Sequence, residues 1–294
     1  MRSARPLALF FWLLARPLFA EESPGTIALE PAEVFQGGTA QIRVAGRDVA
    51  AAKGLLGDRE INFYPGSDGS LSALLGVDLE QRPGAIEIAV EGLSKGGERW
   101  VRKLTVNVKA KDFPRESLSV SPSFDRIDEA MRRRIDREQA ELDRLWKLHS
   151  PERLWEGGFV APVSGRASSP FGLRRVINGL ARAPHTGVDL KATLGAEVVA
   201  ANHGRVVLRD DFFFSGKSIV LDHGGGLYTM YFHLSDFRVE KNSQVRRGEV
   251  IGLAGMTGRV TGPHLHWGAR LNGARVDPME LLQIEGERRE APPQ

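Results

Sequence analysis

At 294 residues the chain is long enough for two domains with real cores, and 41% hydrophobic with 26% charged residues is ordinary for a globular protein. A formal net charge of +3, with no basic patch interleaved with aromatics, argues against a nucleic-acid partner. It fits either an acidic polymer or a plain solvated surface. The absence of cysteine excludes disulfides and thiolate metal sites, so any metal must be held by Asp, Glu or the seven histidines.

Residues 1–20 have the layout of a secretory signal peptide. Arg2 and Arg5 precede an apolar run from Leu7 to Ala15, a short segment ends at Ala20, and Glu21 and Glu22 follow. The run is too short for a stable transmembrane span. Arg16 and Leu18 depart from the usual cleavage pattern and leave an uncleaved anchor open, whereas no cysteine is available to carry a lipid.

Residues 21–110 read as all-β. Alternating runs at 39–44, 84–90 and 101–108 are separated by turns at Gly37-Gly38, Pro65-Gly66, Pro83-Gly84 and Gly96-Gly97. This predicts a small β-sandwich that serves as a spacer or docking module. Residues 111–150 read as a linker containing Pro114 and Pro122, then an amphipathic helix over 123–148. Phe124, Ile127, Met131, Ile135, Leu142 and Leu145 supply its apolar stripe. Residues 151–285 return to short β-branched and glycine-rich runs, with Asp222 to Gly226 as a tight hairpin and helical periodicity only at 278–282. The predicted fold class is therefore all-β: two β-domains joined by a helix, with a disordered tail over 286–294.

Chemistry is suggested by Gly262-Pro263-His264-Leu265-His266-Trp267. On a strand, His264 and His266 face one side about 7 Å apart. His185 and Asp189 stand four apart and can reach one ion if the chain bends at Gly187. His233 ends an alternating strand on which it shares a face with Tyr231. Each of these histidines alone also reads as a buried hydrogen-bonding group. His149 suits a helix C-terminus, His203 an exposed turn, and His223 a hydrogen bond that stabilises the hairpin in preference to a ligand role. The loop Phe212-Phe213-Phe214 reads equally as a groove wall or as a plug of the core.

Motifs along 155–284 resemble the lysostaphin/LytM-type zinc metalloendopeptidases that cut peptidoglycan cross-bridges. They are Ser169-Pro170-Phe171-Gly172-Leu173-Arg174, His185 with Asp189, Val220-Leu221-Asp222-His223-Gly224, Tyr231-Phe232-His233-Leu234, Ile251-Gly252 with Gly255, Thr257-Gly258, and Thr261-Gly262-Pro263-His264-Leu265-His266. The likeness covers a little under half of the chain. It implies a LytM-type β-sheet related to duplicated hybrid motifs. It also implies Zn2+ held by His185, Asp189 and His266, with His233 and His264 in catalytic roles that are interchangeable at this stage. It makes peptidoglycan the substrate and places Asn202 near the groove, while the signal segment and the absence of cysteine suit the periplasm or cell envelope as the setting. Asn178 and Arg182 are candidate substrate contacts, and the N-terminal β-domain is a candidate contact for another cell-envelope protein. The alternative is an inactive relative that acts as a scaffold or activates a cell-wall amidase. A further expectation is autoinhibition through the linker and helix, which predicts higher activity for a chain starting near 150.

Overall fold

A computed structural model describes residues 19–20, 25–66, 68–119, 127–147, 150 and 152–284. Most of the expected signal segment, Phe124, His149 and the tail over 286–294 lie outside the described residues. Strands dominate, as the all-β reading requires.

Residues 25–109 build two sheets. One orders Arg99–Lys109, Gly84–Ser94, Val49–Leu56 and Arg59–Asn62 side by side, with Glu33–Phe35 also on Arg99–Lys109. The other orders Thr26–Glu30, Thr39–Ala45, Leu71–Gly76 and Tyr64–Pro65. Along Thr39–Ala45 the inward positions Ala40, Ile42 and Val44 are buried and the residues between them face out, the period-two signature of a strand with one wet face. Ile42, Val44, Leu75, Ile88, Val90 and Trp100 from the two sheets share one core. Gly92 leaves room for the Trp100 ring, which a Cβ there would overlap.

The expected helix is shorter than its apolar stripe. It runs Glu129–Leu145, starting where Asp128 caps it by accepting from Met131 N at 2.8 Å. Its apolar burial is concentrated in the last turn: Leu145 is buried with Leu208, Phe212, Tyr228 and Met230, while Met131 is exposed. The stripe outruns the apolar surface that covers it, because the earlier turns meet the second β-region only through polar contacts of Arg134 and Glu138. Before the helix, Arg115–Leu118 pairs in parallel with Arg174–Ile177, so part of the expected linker is a strand.

The second region is a ten-stranded sheet. Its main path is Ala167–Ser169, Gly187–Lys191, His264–Leu271, Leu227–Phe237, Gly216–Gly224, Gly204–Phe212 and Gln244–Val245. Asp222, His223 and Gly224 belong to the strand and not to the turn; Gly225 and Gly226, both at positive φ, make the turn. The two regions meet at the far end of the His264–Leu271 strand. Arg275 donates to Asp78 Oδ2 from Nε at 2.9 Å and to Oδ1 from Nη2 at 2.6 Å, and Gly76 N donates to Asn272 Oδ1 at 3.3 Å. Burial would raise the Asp78 carboxyl, but the hydrogen bonds and charge of Arg275 hold it below its ordinary value.

Candidate active site

Strand register brings the histidines together. Gly187–Lys191 runs antiparallel to His264–Leu271, with Asp189 opposite His266 and Lys191 opposite His264. Asp189, His264 and His266 therefore share one face of the sheet. His185 lies just before the first strand and folds over the same carboxylate. His185 Nε2 is 3.0 Å from Asp189 Oδ1, His266 Nδ1 is 3.0 Å from that oxygen, and the two nitrogens are 2.9 Å apart.

These three atoms fit a metal. On tetrahedral zinc, with ligand bonds near 2.0–2.1 Å, neighbouring ligand atoms stand about 3.3 Å apart, so the triangle opens by only a few tenths of an ångström. Two nitrogens and a carboxylate oxygen also make a donor set that zinc accepts. Among the described residues, no other group of three or more His, Asp or Glu converges this way. Gly187 serves the site by its size and not by a bend. It is in the strand, and a Cβ there would lie 2.5 Å from Trp267 O and 2.6 Å from His266 Nε2.

Backbone carbonyls fix the imidazoles. His185 Nδ1 donates to Pro170 O at 2.9 Å, His264 Nδ1 to Gly262 O at 2.9 Å, and His233 Nδ1 to Thr257 O at 3.0 Å. In each neutral ring the proton sits on Nδ1 and the lone pair on Nε2. His264 Nε2 stands 3.7 Å from Asp189 Oδ1, and the His233 ring is centred 4.9 Å from that of His264 and 6.0 Å from that of His266. Phe232 stacks on His266 at 5.4 Å, with the rings 4° from parallel.

The titration of the cluster follows from its burial. Burial raises the Asp189 carboxyl, but the hydrogen bonds and charges of His185 and His266 outweigh it and hold the group well below the carboxylate range. Burial pushes the His266 imidazole down against its bond to Asp189. Burial, and next the charge of His266, push His233 down to about 4. His233 and His266 are thus neutral near pH 7, the state in which an imidazole can bind a metal or accept a proton.

His233 corrects one expectation. It does not share the face of Tyr231. Phe232 pairs with His266 and lies on the side of the cluster, while Tyr231 pairs with Trp267 and is buried in the opposite core. His233 returns to the cluster because its φ of 64° breaks the alternation. That conformation costs about 1–2 kcal/mol in a residue with a Cβ.

Other candidates fall elsewhere. Asn202 is fully buried and holds the 156–158 backbone through Glu156 N, Glu156 O and Gly158 O, which removes it from the groove. Asn178 sits at the turn between Arg174–Ile177 and Leu180–Ala181, and Arg182 follows that hairpin; neither is among the residues lining the groove beside His264. That groove is lined by Ser168, Lys191, Thr193, Thr261 and Pro263. His203 is half-buried and accepts from Arg247 N, and His223 is sealed in the core. Of the three phenylalanines, Phe212 plugs the core beneath the helix and Phe214 is exposed. Motif spacing could not have named Pro170 and Thr257 as carbonyls that orient the rings, because tertiary contact places them there, whereas Gly262 stands only two residues before His264.

The family model described as Peptidase family M23 matches residues 183–278. The chain is 41% identical over 128 residues to a DD-carboxypeptidase/endopeptidase, Mpg, of Neisseria meningitidis, covering 43% of this chain and 30% of that protein. It is 41% identical over 116 residues to the peptidoglycan DD-endopeptidase ShyA of Vibrio cholerae, covering 39% and 27%. The chain thus spans under a third of the length of these relatives. A crystal structure from Pseudomonas aeruginosa, described as a peptidase M23, superposes with a TM-score of 0.66 at 30% identity, covering 84% of this chain and 94% of that one.

Proposed function

The chain belongs to peptidase family M23, and from that membership we propose that it is an exported zinc endopeptidase that hydrolyses an amide bond in peptidoglycan cross-link peptides. The observation that carries this is the convergence of His185, Asp189 and His266, whose ligand atoms all lie within 4.8 Å of one another, beside two further imidazoles. The names of the two endopeptidase relatives support a bond between D-residues as the target. The N-terminal sequence pattern supports export. A complete ligand set disfavours an inactive scaffold or amidase activator.

His185, Asp189 and His266 would hold the ion. Bound there, zinc supplies a Lewis acid for the scissile carbonyl and makes water acidic near neutral pH. His264 takes a proton from the attacking water on its free Nε2 and passes it to the leaving amine as the C–N bond breaks. His233, neutral and with its Nδ1 locked by Thr257 O, accepts a hydrogen bond from that water on Nε2 and so positions it. Gly262 and Thr257 keep the two Nδ1 protons out of the reaction.

The test is digestion of defined cross-linked muropeptides by the purified chain, with products read by mass. Cleavage of the dimer to monomers, abolished by His264→Ala in a folded protein, supports the proposal. Intact dimers with the metal-loaded chain would sink it.

A further inference from the structure

His233 is held by two loops. Its N–H donates to Ser215 O at 2.8 Å and its Nδ1 to Thr257 O at 3.0 Å. The loops brace each other: Arg259 N donates to Phe214 O at 3.0 Å, and Lys217 N donates to Thr257 Oγ1 at 2.9 Å. At Gly216 a Cβ would lie 2.3 Å from the Thr257 carbonyl carbon. Such close contact over-determines the left-handed backbone of His233, which would otherwise relax.

The outer side of the first loop is held by the connecting helix. Phe213 N donates to Glu138 Oε2 at 2.8 Å. Arg134 donates from Nε to Glu138 Oε1 at 2.6 Å and from Nη2 to Asp211 O at 2.7 Å. Glu138 is little exposed, at 15% of its side chain, although it lies on a helix that is mostly open to solvent. A continuous path thus runs from Arg134 and Glu138 through Phe213 and Ser215 to the backbone of His233.

We infer that Glu138, oriented by Arg134, is a positioning residue for His233: the helix outside the catalytic sheet sets the conformation of one of its imidazoles. The inference rests on the peptidase reading for the role of His233, and on the contacts alone for the coupling. Releasing Phe213 N lets the 213–216 loop shift and His233 relax, which misplaces its Nε2 without touching the three metal-binding side chains.

The experiment uses the full zinc-loaded chain and the variants Glu138→Ala, Glu138→Gln and Arg134→Met. Glu138→Ala is expected to lower kcat on a cross-linked muropeptide about 10- to 100-fold, the usual cost of a misplaced catalytic group. KM and zinc content stay at wild-type values. Glu138→Gln keeps an acceptor for Phe213 N and restores most of the rate, while Arg134→Met falls between. Amide exchange supplies a readout apart from activity: the His233 N–H exchanges faster in Glu138→Ala. Wild-type kcat in Glu138→Ala, or a lowered kcat with His233 as protected as in wild type, would overturn the inference. If the wild-type chain cleaves no muropeptide, the peptidase reading fails by itself. The coupling then stands or falls on whether Glu138→Ala speeds exchange at His233.

Discussion

Lowering the pH should destabilise this protein through His223, a histidine outside the site. The ring is fully buried, with Nδ1 2.7 Å from His203 O and Nε2 2.7 Å from Thr229 Oγ1. Thr229 Oγ1 is 2.9 Å from the Tyr231 hydroxyl, which accepts from Ala201 N at 2.9 Å. A neutral ring satisfies the whole relay: Nδ1–H donates to His203 O, Thr229 O–H to Nε2, and Tyr231 O–H to Thr229. A second ring proton turns Nε2 into a donor, so the Thr229 hydroxyl loses its acceptor there and a charge is buried with the ring. Burial, the chief cause, accordingly pushes His223 down to about 4 from an ordinary 6.5. The unfolded chain binds this proton below 6.5 and the folded chain does not, so stability is full above 6.5 and declines as pH falls toward 4. At 1.36 kcal/mol per tenfold change in proton affinity, the loss is about 3 kcal/mol. Urea denaturation between pH 7.5 and 4.5 measures it, with His223→Gln as reference. The variant should be less stable at pH 7.5 and should lose about 3 kcal/mol less than wild type over that window. Parallel stability curves for the two proteins would refute the reasoning.

Three further outcomes are expected. Asp78→Asn should cost about 2 kcal/mol at pH 7 by weakening the Arg275 pair that joins the two regions. Because the folded carboxyl lies below its ordinary value, this difference from wild type is full above about pH 4 and vanishes as pH falls through the folded value, as thermal melts over that range will read. Gly187→Ala should lower zinc affinity about 10- to 100-fold in a chelator competition, since its Cβ would push His266 aside. Leu145→Ala should cost about 2–4 kcal/mol in denaturant melts by opening a cavity among Leu208, Phe212 and Tyr228.

His264 and His266 were legible as a same-face pair from the alternation of one strand, whereas the grouping of His185, Asp189 and His266 came only from the family resemblance. His264 and His266 share a face by that rule, and Asp189 joins them through register. His233 was named through the resemblance, but its placement was not legible from alternation. It sits where alternation fails, and the contacts that hold its φ at 64° come from residues 18 to 24 positions away in the chain. The helix was overdrawn for a similar reason. Periodicity describes what a segment could bury, whereas the apolar surface opposite Glu129–Leu145 covers only the last turn. Among the described residues, those lining the groove beside His264 lie between 168 and 264, outside the linker and helix. The helix instead braces the loop behind His233.

The division of labour between His264 and His266 is tested most directly by the metal content of single variants of the purified chain. The account predicts about one zinc per chain in the wild type and in His264→Ala, near-complete loss in His185→Ala and His266→Ala, and no turnover in any of the three variants. Loss of zinc from His264→Ala to the same degree as from His266→Ala would contradict it, as would a wild-type chain that binds no zinc.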